Sequence, residues 1–186
     1  MPDLIPRAPD NPEFARVIEL RQLRDLETFD FDISPGAEEA AAVAGLLGAR
    51  SVRKLRFAGR LARAAGGGWQ LDAELGASVV QTCVVTLDPV TTRVDQPVRR
   101  LWLPETAARA AELVVDPEEE DEIEPLGDRI DLGRVAIEAL TLALPAYPRK
   151  PGAVLAPVPG EPAEADDAPR PFAALEALRG KVGEGK

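Results

Sequence analysis

Apolar and polar residues alternate most regularly between positions 54 and 75. Leu55, Phe57, Gly59 and Leu61 take the odd positions, while Lys54, Arg56 and Arg60 take even ones. Period-two alternation of this kind marks a strand with one buried face and one solvent-facing one. Ala65-Gly66-Gly67-Gly68 reads as a turn, after which Trp69, Leu71, Ala73 and Leu75 restart the pattern. The spacing predicts that this return strand continues through Val79 to Leu87, with Gly76 as a bulge or bend. Asp88-Pro89 then turns the chain again. Val90, Thr92, Val94, Val98 and Trp102 line a third strand, assigned near Pro97 to an edge or a kink because proline has no N–H for a ladder. The product is an antiparallel meander.

Elsewhere the period changes. Phe14, Arg16, Ile18, Leu20 and Gln22 share one parity and predict a short strand over 14–23. Ser34-Pro35 opens an Ala-rich helix, with Ser as N-cap, Pro at the first helical position and Leu47-Gly48 as its end. A second helix starts at Ile130-Asp131-Leu132, where Asp131 is placed to cap it and its charge suits the helix N-terminus. Leu132, Val135, Ala136, Ala139, Leu140 and Leu142 give that helix a broad apolar face suited to covering the sheet, and Leu144-Pro145 ends it. The predicted class is therefore α+β: an antiparallel β-meander sheet packed by two helices, with a disordered acidic loop and a Pro-rich C-terminal tail.

The organisation follows from what cannot pack. Residues 1–13 carry four prolines in their first dozen positions and read as an extended arm. Residues 14–148 form the single domain, including an acidic loop at 112–131. Residues 149–170 are a Pro-rich linker, too poor in apolar residues to fold alone. Residues 171–182 place Phe172, Leu175 and Leu178 at helical spacing, a short amphipathic tail helix that either caps its own domain or docks on a partner. No basic n-region followed by an apolar stretch opens the chain, so no signal peptide is expected. Nor does any apolar run reach the about eighteen residues of a membrane span. A cytoplasmic protein with one reduced thiol is the reading.

Composition removes whole classes of chemistry. The 186 residues contain no histidine and one cysteine. There is thus no imidazole base, no catalytic triad, no His-ligated metal, no intramolecular disulfide and no CxxC redox pair. The formal net charge is −10, which taken whole argues against nucleic acid. Divided along the chain it says otherwise. Residues 1–110 hold 14 basic and 15 acidic side chains, 111–131 hold one and 10, and 132–186 hold 7 of each. Nearly all the excess belongs to one stretch, which repels itself and reads as a solvated loop. Its carboxylates are of the type that binds calcium or magnesium, but the ligand spacing of an EF-hand is missing. Competition with RNA for a basic protein is a further reading of that strip.

Against this background residues 50–63 stand out, with six basic residues and no acid. Arg53, Lys54, Arg56 and Arg60 are candidates for a phosphate-binding row on the strand's solvent side, with Arg99 and Arg100 as additions. The competing reading is that a solvent-facing strand simply needs charge for solubility and edge protection. No aromatics are interleaved with these cations as in single-strand RNA readers. Cys83 shares the buried parity of Val79, Val85 and Leu87, and no basic residue lies within nine positions of it, so an inert buried thiol is expected.

Three pieces then line up: Cys83-Val-Val-Thr-Leu-Asp-Pro-Val90, an acidic stretch, and Ile130-Asp-Leu-Gly-Arg-Val-Ala-Ile-Glu-Ala-Leu-Thr-Leu-Ala-Leu-Pro145 followed by Pro148-Arg149. Their order resembles the YceD family of large ribosomal RNA subunit accumulation proteins, over residues 14–178 and including a Pro-Phe-Ala-x-Leu-like tail at Pro171 to Leu175. The motif positions are Cys83, Thr86, Leu87, Pro89, Asp131 and Leu132. Many members carry Cys-x-x-Cys-Leu where this chain has Thr86, so no metal or redox role transfers from that pair. The resemblance implies a bacterial or plastid factor supporting 23S ribosomal RNA processing and accumulation. The expectation is a non-catalytic protein without cofactor or metal that binds pre-ribosomal RNA, a large-subunit ribosomal protein or precursor particle. The alternatives are a protein-interaction adaptor working through Phe172, Leu175 and Leu178, and a metal-assisted RNA-processing enzyme using the acidic loop.

Overall fold

The computed structural model describes residues 13–106 and 122–154. They hold β1 (Val17–Glu19), β2 (Thr28–Ile33), α1 (Ala37–Leu46), β3 (Ser51–Arg63), β4 (Trp69–Thr82), β5 (Pro89–Leu103), β6 (Glu122–Pro125), β7 (Arg129–Asp131) and α2 (Leu132–Ala143). All belong to the unit Met1–Ala153; of the second unit, Val154–Lys186, only Val154 is described. The main sheet has the order β2-β3-β4-β5-β6, and β1 pairs separately with β7. The β3–β4 and β4–β5 pairs are antiparallel, which is the predicted meander; β2, not foreseen from the sequence, adds antiparallel to β3, and β6 joins β5 in parallel. The class is α+β.

Alternation builds the core as expected. Phe57, Leu61, Leu71, Leu75 and Val79 are 0–1% exposed on the inner face of β3 and β4. The α2 residues Leu132, Val135, Ala136, Ala139 and Leu140 are buried in the same cluster. Each large side chain so buried stabilises the fold by about 1.5–3 kcal/mol before the entropy of ordering it is counted. Among the described residues no helix is long and apolar enough to cross a membrane.

Several local expectations are corrected. The first strand shrinks to Val17–Glu19, because Leu20–Leu23 wind into a 3₁₀ turn that buries Leu23. The N-cap of α1 is Gly36 rather than Ser34, and the Glu39 side chain accepts the Gly36 N–H at 2.7 Å. Gly48, at φ 60°, does end this helix in the left-handed conformation that favours glycine. The bulge lies on β3, not at Gly76 of β4. Register slips between Arg53 and Arg56, and Lys54 takes a positive φ of 53°. The return strand stops at Thr82, so Val85 and Leu87 leave the buried parity, and Leu87 is 69% exposed. Leu142 points to solvent, at 81% exposure, instead of completing the apolar face of α2. The last residues of the acidic stretch are not loop: Glu122–Pro125 and Arg129–Asp131 are strands. Pro97 causes no break in the β4–β5 register, and β5 is paired on its outer side only from Arg100 to Leu103, so Pro97 lies on an open edge.

One long-range clamp fixes the start of α2. The Asp131 carboxylate accepts the Gly133 and Arg134 N–H groups, the predicted cap, and also the Arg16 N–H at 2.8 Å. Leu132 N–H donates to the Arg16 carbonyl, continuing the β1–β7 pairing. The Arg16 guanidinium then reaches α1, where both its Nη atoms donate to the Glu39 carboxylate at 2.9 and 3.0 Å. Glu39 is 3% exposed. Charges this buried persist only when paired and hydrogen-bonded.

Candidate nucleic-acid interface

The solvent face of the sheet decides which predicted cations are available to a polyanion. Arg53, Lys54, Arg56 and Arg60 are all exposed on β3. The last two are spoken for. Arg56 donates from Nε and Nη2 to both Asp32 carboxylate oxygens at 2.9 and 2.7 Å. Arg60 does the same to Asp30, at 2.5 and 3.1 Å. These hydrogen bonds hold the Asp32 and Asp30 carboxyls below their usual 3.8. Register extends the pattern into a row across four strands, Asp30, Arg60, Asp72 and Arg99, of alternating sign. Arg99 approaches Asp72 at 3.5 Å, and Arg93 pairs with Asp95 beside it. Most of this face is therefore a charge ladder that neutralises itself.

The β3 bulge is the exception. In a regular strand Arg53 and Lys54 would point to opposite faces. The extra residue breaks period two, so Val52 and Leu55 are both buried while the two cations between them are both exposed. Neither has an ion-pair partner among the described residues. Bulges re-aim side chains in this way, and a non-glycine residue held at positive φ carries strain that the surrounding pairing must sustain.

Arg100 leaves the candidate surface. It is 6% exposed, on the core side of β5, where Nη1 meets Glu124 at 2.7 Å and Glu138 at 2.9 Å. Burial opposes ionisation of Glu138, but hydrogen bonds from Arg134 and Arg100 hold its carboxyl below the usual 4.5. The Trp102 indole N–H donates to Glu124 at 2.9 Å. Together these groups floor a cleft of about 710 Å³ walled by Pro125, Ile130 and Val135. Glu124 and Glu138 are engaged by Arg100, Arg134 and Trp102, and Asp131 by backbone N–H groups, so it reads as a structural network.

At the end of β4, Cys83 is fully buried. Its Sγ accepts the Val85, Thr86 and Lys150 N–H groups, each at 3.4 Å. A hydrogen bond from the Thr86 hydroxyl, aided by those amides, pulls the thiol down to about 6. Cys83 is buried as expected, but its thiol is lowered without a neighbouring cation, first by the Thr86 hydroxyl and then by the Lys150 amide, 67 residues away. Replacing Thr86 with valine should move the thiolate absorbance midpoint from about 6 back toward the usual 9.0. Because the folded value is the lower one, stability should rise with pH between those limits in the parent protein, and less in the variant. A midpoint unmoved by T86V would sink this assignment.

The same corner gathers residues that no motif had joined. Arg50 donates to the Thr82 hydroxyl and the Leu87 carbonyl, and Lys150 Nζ pairs with Asp88 at 2.9 Å. Tyr147, in the same Pro145–Lys150 segment, is 76% exposed. The signal for it was Pro145-Ala-Tyr-Pro-Arg-Lys150, an aromatic braced by prolines and followed by two cations. Thr86, Leu87 and Pro89 shape this corner, while Asp131 and Leu132 open α2 at the clamp, so the motif positions form two structural sites. Phe172, Leu175, Leu178, the arm at 1–12 and the acidic residues 107–121 lie outside the described residues. Among the described residues no group of three or more His, Cys, Asp or Glu side chains is arranged to hold a metal.

Residues 71–179 match the family model described as large ribosomal RNA subunit accumulation protein YceD. No curated protein and no solved structure matches.

Proposed function

Because the chain belongs to the YceD family, whose name ties it to the accumulation of large-subunit ribosomal RNA, we propose that it is a non-catalytic factor that binds precursor ribosomal RNA. Its contact surface is the bulged end of β3. The observation that carries this reading is the pair Arg53 and Lys54, adjacent in sequence, both exposed, and outside the ladder that neutralises Arg56 and Arg60. Unpaired cations release counterions from RNA, whereas cations already held by aspartate must first give up that partner. A ribosome-related role is naturally cytoplasmic. A second reading, an adaptor that engages a ribosomal protein through Phe172, Leu175 and Leu178, draws support from the family match, which extends to residue 179.

Two double variants with the same change in net charge test the RNA surface. Arg53→Gln with Lys54→Gln should weaken binding of a 23S precursor fragment by about tenfold or more at low salt. It should also reduce the salt slope by about one for each cation removed. Arg56→Gln with Arg60→Gln should cost much less. Equal losses from the two pairs would mean that only the general field matters and that the assigned surface is wrong. Magnesium-dependent cleavage of the fragment by the purified protein would overturn the non-enzyme reading.

A further inference from the structure

We infer that Tyr147 is a stacking platform for an unpaired nucleobase of the bound RNA, set at the end of the sheet that carries the basic residues. The inference rests on the RNA reading above and adds to it the class of RNA, a single-stranded segment.

Tyr147 is the one aromatic side chain exposed among the described residues. Phe14, Phe31, Phe57, Trp69 and Trp102 are all buried, and Phe29 packs against the core. The exposure does not come from a loose loop. Tyr147 stands between Pro145 and Pro148, whose fixed φ angles stiffen the segment. Both prolines are also held by the end of β4. The Gln81 amide donates to the Pro145 carbonyl at 3.3 Å, and the Val84 N–H to the Pro148 carbonyl at 3.0 Å. Just beyond, Lys150 N–H donates to Cys83 Sγ and its ammonium reaches Asp88. The phenol ring is thus presented from a fixed backbone with its apolar surface in water.

Its surroundings select the ligand. Exposed Arg149 is two residues away, and Lys150 and Arg50 flank the 83–88 turn at the same end of β4. Arg53 and Lys54 lie on β3 within a few residues of Arg50, and Ser51 pairs with Val80 of β4. Lys150 is held by Asp88 and fixes the corner, so the phosphates fall to exposed Arg149, Arg53 and Lys54: a π-face beside such cations suits a base stacked on the ring. The charge ladder offers no such platform, since the β2–β5 solvent face carries no exposed aromatic. An A-form duplex keeps its bases stacked internally and has nothing to give the ring.

The full chain is titrated with a labelled single-stranded oligoribonucleotide and with a duplex of the same sequence. Tyr147→Ala should weaken single-strand binding about tenfold and leave duplex binding unchanged. Its salt slope should match that of the parent, because stacking releases no counterions, whereas the Arg53/Lys54 variant lowers the slope. Tyr147→Phe should bind like the parent, which separates stacking from hydrogen bonding by the hydroxyl. The inference is overturned if Tyr147→Ala binds single strands like the parent, as it would if the ring serves a protein partner. It is overturned equally if the loss is the same on duplex. If the parent binds neither RNA at low salt, the RNA reading itself falls; if it binds and Tyr147 is silent, only the stacking inference does.

Discussion

Glu39→Ala should lower the stability of the domain by about 3–5 kcal/mol, the cost of stranding one member of a buried ion pair. That is a large share of the about 5–15 kcal/mol that holds a typical domain. Glu39 does two jobs at once. Its carboxylate takes both Nη atoms of Arg16, and it accepts the Gly36 N–H that α1 leaves open. Removing it leaves a guanidinium whose side chain is 15% exposed and a helix without its first-turn acceptor. Urea unfolding followed through the buried Trp69 and Trp102 would measure the loss. Arg16→Met combined with Glu39→Leu should recover much of it, because replacing both partners by apolar groups leaves no stranded charge. A Glu39→Ala midpoint close to that of the parent would mean that the pair contributes little.

Gly133→Ala has the second large effect, and its sign opposes helix propensity. In an exposed helix interior alanine is better than glycine by about 1 kcal/mol. Here a Cβ at Gly133 would collide with the Phe14 carbonyl oxygen and press on the Arg16 N–H group. These are backbone atoms, held by the Leu132-to-Arg16 and Arg16-to-Asp131 hydrogen bonds, so no side chain can swing aside. A loss of about 3 kcal/mol, the upper part of the range for overpacking, is expected. Hydrogen exchange should locate it, with the amides of Arg16 and Leu132 losing protection before those of β3 and β4. A stabilised variant would show that this contact yields easily and that propensity governs the site.

How much of this was legible in the sequence varies with the range of the interaction. The alternation at Leu55 to Leu75 predicted β3 and β4 because a half-buried strand has a local signature. The Asp131 cap was legible for the same reason, since the N–H groups it accepts lie two and three residues away. Arg100 shows a reading that was available and missed. It shares even parity with Val94, Val98 and Trp102, so the strand pattern alone sends it to the core, and basic character outweighed register in naming it a surface contact. The neutralisation of Arg56 and Arg60 was less accessible. It depends on β2 lying beside β3 with Asp30 and Asp32 in register, and the Thr28–Ile33 segment gave no strand expectation in advance. The bulge was sought at the glycine and occurs opposite it, since a bulge on one strand is defined only by its partner. The Cys83 thiol is lowered first by Thr86, three residues away, whose effect depends on how the turn folds, while the corner holding Tyr147 joins chain segments more than sixty residues apart.

The clamp at Arg16 and Asp131 also bears on the order of events during synthesis. Its two halves are separated by 115 residues. While the chain emerges from the ribosome, β3 to β5 can pair through short turns and β2 can join β3 across α1. The Arg16 side chain can meet Glu39 of α1, but the backbone around Phe14 has no strand partner until β7 and α2 have been made. The N-terminal segment is therefore translated early and docked late. For most of the chain's elongation, the Arg16 backbone N–H and carbonyl lack their partners at Asp131 and Leu132 while the main sheet is already forming. The slow step in folding should then be closure of this long loop, which places the vulnerable interval, to proteases and to aggregation, at the end of translation rather than its beginning.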